Sequence, residues 1–127
     1  MSERKPTVVV LDDSEVCLEV ASEKLEEAGF EVITASSGLG ASRLLHNTRP
    51  DCVVVDVGMP ALSGDKLVEI LRRNVAKEVP ILLHSDRPKG ELLALARTCG
   101  ATDAVVKTSD CRGLVDAVKR HVASRVC

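Results

Sequence analysis

The feature that most limits how this chain can fold is an alternation, repeated five times, of a short aliphatic run with a stretch of helical apolar spacing. The runs are Thr7-Val8-Val9-Val10-Leu11, Glu31-Val32-Ile33-Thr34, Cys52-Val53-Val54-Val55, Ile81-Leu82-Leu83 and Ala104-Val105-Val106. After the first, Asp13-Ser14 can cap a helix whose inner face carries Cys17, Val20, Ala21, Leu25 and Ala28, with Gly29 closing it. A second helix is expected over Ser36 to Asn47, softened by Gly38 and Gly40, with Ala41, Leu44 and Leu45 inward. Ser63 or Gly64 opens a third, with Leu67, Ile70 and Leu71 inward. A fourth runs near Pro88 to Cys99, and Leu114, Val115, Val118 and Val122 mark a fifth.

Strands that are aliphatic at every position suit a parallel sheet covered on both faces. The first, third and fourth runs have that character and should be central, whereas the second has polar ends and suits an edge. Right-handed crossovers then leave one open, doubly wound α/β sheet. In such sheets ligands bind outside the carboxyl ends of the strands, at the switch point between strands one and three.

The chain has 127 residues and one aromatic, Phe30, so Val, Leu, Ile and Ala must pack the core of a single domain. Net charge is −2 with both signs interspersed, which offers no basic stripe for direct nucleic-acid or membrane contact. No apolar run approaches a signal peptide or a membrane span. Cys17, Cys52, Cys99, Cys111 and Cys127 are widely spaced without a C-x-x-C pair, which favours reduced thiols in a cytoplasmic protein.

Asp12 and Asp13 follow the first run, Asp56 the third, Ser85 the fourth and Lys107 the fifth. Each residue alone has an ordinary reading, as a helix cap, a turn acid or a surface side chain. Together they bring three carboxylates, a hydroxyl and an ammonium to one end of the sheet. Crowded carboxylates repel, and a hard divalent ion such as Mg²⁺ (or Mn²⁺) relieves this while leaving room for a phosphate. Asp56, deepest in a central strand, is the natural nucleophile for an aspartyl-phosphate. The metal and Lys107 would stabilise the transferring phosphoryl oxygens, and Ser85 could donate a hydrogen bond to the product.

The segments Val9 to Ser14, Val53 to Pro60 with Gly64, Pro80 to Ser85, and Gly100 to Lys107 resemble the response-regulator receiver domain, the CheY-like module of two-component signalling. The resemblance runs from about Thr7 to Val122 and implies a flavodoxin-like (βα)5 domain with strand order 2-1-3-4-5. It further implies that Asp12 and Asp13 are the metal-binding pair, Asp56 the phosphoacceptor and the backbone carbonyl of Gly58 a further metal ligand. Ser85 takes the place of the switch hydroxyl and Lys107 that of the phosphate-contacting lysine. A histidine kinase or phosphotransfer protein would supply the phosphoryl group, and a separate output protein would read the result.

Three positions depart from the family pattern. Ala104 stands where an aromatic is usual, Thr108 where a proline follows the lysine, and Asp86 where a small residue follows the hydroxyl. A trans Lys107–Thr108 bond and a shifted Lys107 loop are expected, because a cis bond is costly without proline. Asp86 would oppose an incoming anion unless it turns outward or pairs with Arg87. These departures leave open a pseudo-receiver that binds partners without phosphorylation. A phosphohydrolase is disfavoured, since its usual second acid would fall at Gly58. His84 should point away from the pocket by strand alternation, His46 and His121 look like surface residues, and Lys119-Arg120-His121 a solvated helix end.

Overall fold

Strands and helices alternate without exception in the computed structural model, which describes residues 4–60, 62–75 and 77–126, with backbone alone at 125 and 126. In order they are β1 (Thr7–Leu11), α1 (Glu15–Glu27), β2 (Glu31–Ala35), α2 (Ala41–Thr48) and β3 (Cys52–Asp56). Then come α3 (Gly64–Asn74), β4 (Ile81–Ser85), α4 (Lys89–Cys99), β5 (Asp103–Val106) and α5 (Arg112–Val126). All strand pairs are parallel and the sheet order is β2-β1-β3-β4-β5. β1, β3 and β4 are buried at every position and β2 is partly exposed throughout, as expected of three central strands and an edge.

The period-2 alternation of the strands splits the core in two. Val9, Leu11, Val53, Val55 and Leu83 face α2, α3 and α4 through Leu45, Leu67, Leu71 and Leu92. Val8, Val10, Val54 and Leu82 face α1 and α5 through Leu18, Leu25, Leu114 and Val118. Each such side chain contributes roughly 1.5–3 kcal/mol when fully buried, so a core with one aromatic suffices.

Ser14 caps α1 by accepting the Cys17 N–H at 3.2 Å. At the other end Gly29 adopts φ +100°, which lets the Phe30 N–H reach Leu25 O at 3.1 Å and turns the chain into β2. The α1 face is rotated from the expected one: Leu18, Ala21 and Leu25 are buried, while Cys17 and Val20 lie on its half-buried flank. In α3 Val68 is buried, and Ile70 is half-exposed.

The second helix begins five residues later than expected. Gly40 sits at φ +78°, a left-handed conformation that halts helix growth, and the Ser37 hydroxyl accepts the Leu39 N–H in a local turn. Residues 36–40 are therefore a loop.

Candidate functional site

β1 and β3 lie side by side with Leu11 opposite Val55, so the residues just beyond them meet at the carboxyl edge. Carboxylate oxygens of Asp12, Asp13 and Asp56 come within 4.8 Å of one another. Asp12 and Asp56 are 2% and 7% exposed, whereas Asp13 faces solvent. The Asp12 carboxylate also accepts the Ser14 N–H at 2.9 Å, which ties the acidic pair to the start of α1.

Lys107, one residue beyond β5, reaches across β4 to the same place. Its Nζ is 2.9 Å from Asp12 Oδ2 and 3.3 Å from Asp56 Oδ1. Its backbone N–H donates to Ser85 O at 2.7 Å, which anchors this loop to the end of β4. No peptide bond among the described residues is cis, so the Lys107–Thr108 bond is trans as expected.

Electrostatics divide the three partners unequally. Burial opposes charge on Lys107, but the hydrogen bond and charge of Asp12, with help from Asp56, hold its pKa above the ordinary lysine value. Burial, followed by repulsion from Asp12, pushes Asp56 above the usual carboxylate range, and Lys107 offsets this only in part. The ammonium serves Asp12 first, as its shorter distance shows. Asp56 is the carboxylate with unmet demand for positive charge.

The remaining residues singled out from the sequence fall around this centre. Gly58 is exposed, and its N–H donates to Asp56 Oδ1 at 3.3 Å, curling the β3–α3 loop over the carboxylate. Gly64 brings the α3 N-terminus so close that a Cβ there would lie 2.3 Å from Asp56 O and 2.8 Å from Val57 Cα. Only glycine permits that approach. Ser85 is buried at the end of β4, and its Oγ accepts the Arg87 N–H at 3.2 Å. Asp86 and Arg87 are both exposed, and no ion pair joins them among the described residues. Ala104 is buried, and exposed Thr108 donates its hydroxyl to Asp110 at 3.0 Å.

Of the two histidines near ionised groups, His84 points away from Ser85 as strand alternation predicts, whereas His121 is not the surface residue expected. His84 pairs in register with Asp56, so it lies on the α1–α5 side with Val54 and Leu82 and opposite to Ser85. It does not leave the site behind: burial first, then the charge of Lys107, lowers its pKa to about 4, against a smaller raising effect of Asp12. Register with Asp56 was the signal that could have located it. His121 is half-buried and binds Asp103, Nε2 to Oδ2 at 2.9 Å, beside Arg120 at 3.2 Å on the same oxygen. Burial works against the Asp103 charge, yet these hydrogen bonds and the Ala104 N–H hold its pKa below the usual range. Larger surface concavities exist, such as one of about 670 Å³ along α1 and Thr34, but its charged lining is acidic only, through Glu19, Glu23, Glu26 and Glu27.

This sheet order and this placement of acids have relatives. The sequence model of the response regulator receiver domain matches residues 8–119. The chain belongs to that family, a signalling module of two-component systems. It is 37% identical over 120 residues to the transcriptional regulatory protein PrrA of Mycobacterium leprae, covering 94% of this chain and 51% of that protein. Protein PilG of Pseudomonas aeruginosa is 31% identical over 118 residues, covering 92% of this chain and 87% of PilG. The chain thus spans about half the length of PrrA and most of PilG. Among solved structures, the Vibrio cholerae chemotaxis protein CheY4 superposes with a TM-score of 0.84 at 30% identity, covering 92% of this chain and 98% of CheY4. The Francisella response regulator 1452 receiver domain gives 0.85 at 27%, covering 94% and 98%.

Proposed function

We propose that this chain works as one receiver domain in which Asp56 accepts a phosphoryl group from a histidine kinase or phosphotransfer protein. The observation that carries this reading is the convergence on Asp56 of two further carboxylates and one ammonium at the switch point of the sheet. An Asp56 oxygen bonds to phosphorus as the bond from phosphorus to the donor imidazole nitrogen breaks, and that nitrogen keeps the electron pair. Lys107, 3.3 Å from the same carboxylate, is placed to donate to a phosphoryl oxygen attached there. Ser85 accepts from Arg87 and so keeps its own hydroxyl hydrogen for that phosphoryl group.

Oxygen donors in this number suit Mg²⁺ or Mn²⁺, held by Asp12, Asp13, Asp56 and the Gly58 carbonyl. When bound, the ion neutralises charge on the acids and on the phosphoryl oxygens. The phosphorylated form then alters how an output protein binds the surface near β4 and β5, as a population shift. This is stoichiometric signalling and not turnover of a substrate. The complete acidic set favours it over phosphorylation-independent binding, and exposure of Asp86 removes one objection.

Incubation with acetyl phosphate and Mg²⁺, followed by intact mass, tests this. One phosphoryl group per chain is expected, and none when the divalent ion is chelated. Uptake that is indifferent to chelation would contradict the metal-assisted reading.

A further inference from the structure

On the α1–α5 side of Lys107 lies a cavity of about 230 Å³ that phosphoryl acceptance does not use. Val16, Cys17 and Val20 of α1, His84, Lys107 and Cys111 are among its walls. Val16 is 71% exposed at its margin. His84 is 4% exposed, and its Nε2 finds no hydrogen-bond partner among the described residues, so the wall contains an unmet polar atom. Two thiols share this space, and they differ. Cys17 is partly exposed, whereas Cys52, Cys99 and Cys111 are buried. Burial pushes the Cys99 and Cys111 thiols above their ordinary pKa, which keeps them inert.

Cys17 Sγ lies 3.8 Å from Lys107 Nζ, the ammonium that also holds Asp12 and Asp56. Selective thiol chemistry belongs to cysteines that are reachable and stand beside a cation near a helix start, and Cys17 is the third residue of α1. One ammonium therefore stands between a thiol and a phosphoacceptor.

We propose that Cys17 is a modification site for a small hydroperoxide and that its oxidised sulfur competes with Asp56 for Lys107. One peroxide oxygen bonds to sulfur as the O–O bond breaks. Sulfur is oxidised by two electrons, the other oxygen takes the thiol proton and leaves as water from hydrogen peroxide or as an alcohol from an organic hydroperoxide, and a sulfenic acid remains. The added oxygen is a stronger hydrogen-bond acceptor than sulfur and sits on the atom already next to Nζ. An ammonium drawn to it supplies less positive charge at Asp56, and phosphoryl uptake slows. That last consequence rests on the phosphoacceptor reading, whereas the modification does not.

The test uses the full chain with Cys127→Ser, so that the other four thiols compete. Hydrogen peroxide is added with dimedone, and adducts are located by peptide mass. Cys17 is expected to label about tenfold faster than Cys52, Cys99 or Cys111. Without dimedone, the oxidised protein should take up phosphoryl from acetyl phosphate several-fold more slowly, with dithiothreitol restoring the rate. A further Cys17→Ser exchange should remove the peroxide effect and leave uptake in place. Labelling spread over the buried cysteines, or absent from Cys17, overturns the modification site. Equal uptake before and after oxidation of Cys17 overturns the competition for Lys107. No uptake by the reduced protein is a failure of the phosphoacceptor reading, and the labelling result still decides the site.

Discussion

The two halves of the sheet's carboxyl edge are built on different terms. At β1 and β3 the polar groups are buried and tied: Asp12 to Ser14 and Lys107, Asp56 to Gly58 and Lys107, with Gly64 packed against the Asp56 backbone. In the loops after β4 and β5, Asp86, Arg87 and Thr108 are exposed, and β5 itself buries only the small side chain of Ala104. The difference separates two tasks. Accepting a phosphoryl group, as proposed for Asp56, needs charges held in a low-dielectric place before the reaction, and buried Asp12 and Asp56 with Lys107 between them supply such charges. Reporting the event to a partner, in the same proposal, would fall to the exposed loops, which carry the residues that the family resemblance did not lead one to expect.

If burial at the first half is what matters, the largest effect should come from disturbing its tightest contact. Gly64→Ala forces its methyl against Asp56 O, so α3 or the β3 end must shift. Denaturant melts should show a loss of about 3 kcal/mol, and phosphoryl uptake should fall with it. Next in size is a pH effect at the seam between the halves. The unfolded chain protonates His84 below about 6.5 and the folded chain only below about 4. The unfolded state thus binds more protons in that window, and stability falls as pH drops through it, by an amount on the order of 3 kcal/mol. His84→Leu should flatten this part of the pH–stability curve in paired denaturant titrations.

Smaller still is the effect of the divalent ion on the resting protein. Mg²⁺ at about ten times its dissociation constant should stabilise the fold by roughly 1.4 kcal/mol, seen as a rise in Tm. Asp12→Asn should abolish most of that rise. The smallest effect belongs to the second half. Asp86→Ala should change stability by less than about 0.5 kcal/mol, because the side chain is exposed. Uptake from a small phosphodonor should stay within about twofold of the parent protein; a larger change would break the division between the halves.

How far the sequence could be read follows the same division. Runs such as Val8 to Leu11 and Cys52 to Val55 have one sensible environment, so the strands and their central positions were legible, whereas the sheet order came only with the family resemblance. Asp12, Asp13, Asp56 and Lys107 converge because each follows a strand, and that too needed only the fold. The start of α2 was not legible, since Ser36 to Gly40 is locally compatible with helix or loop and Gly40 decides by its left-handed backbone. His121 looked like a surface residue because its partner, Asp103, is 18 positions away at the start of β5. His84 and Cys17 depend on which way a side chain leaves a register pair or a rotated helix face. Periodicity locates a face within one position or so, and one position decides whether a thiol touches an ammonium.

The central claim is that the unmet charge demand of buried Asp56 makes it the group that takes phosphorus. After exposure to acetyl phosphate in Mg²⁺ buffer, reduction with borohydride converts an aspartyl phosphate to homoserine, and peptide sequencing by mass locates it. The account predicts homoserine at position 56 in the parent protein and no phosphoryl uptake in Asp56→Asn. Homoserine at position 12 or 13, or undiminished uptake by the variant, would contradict it.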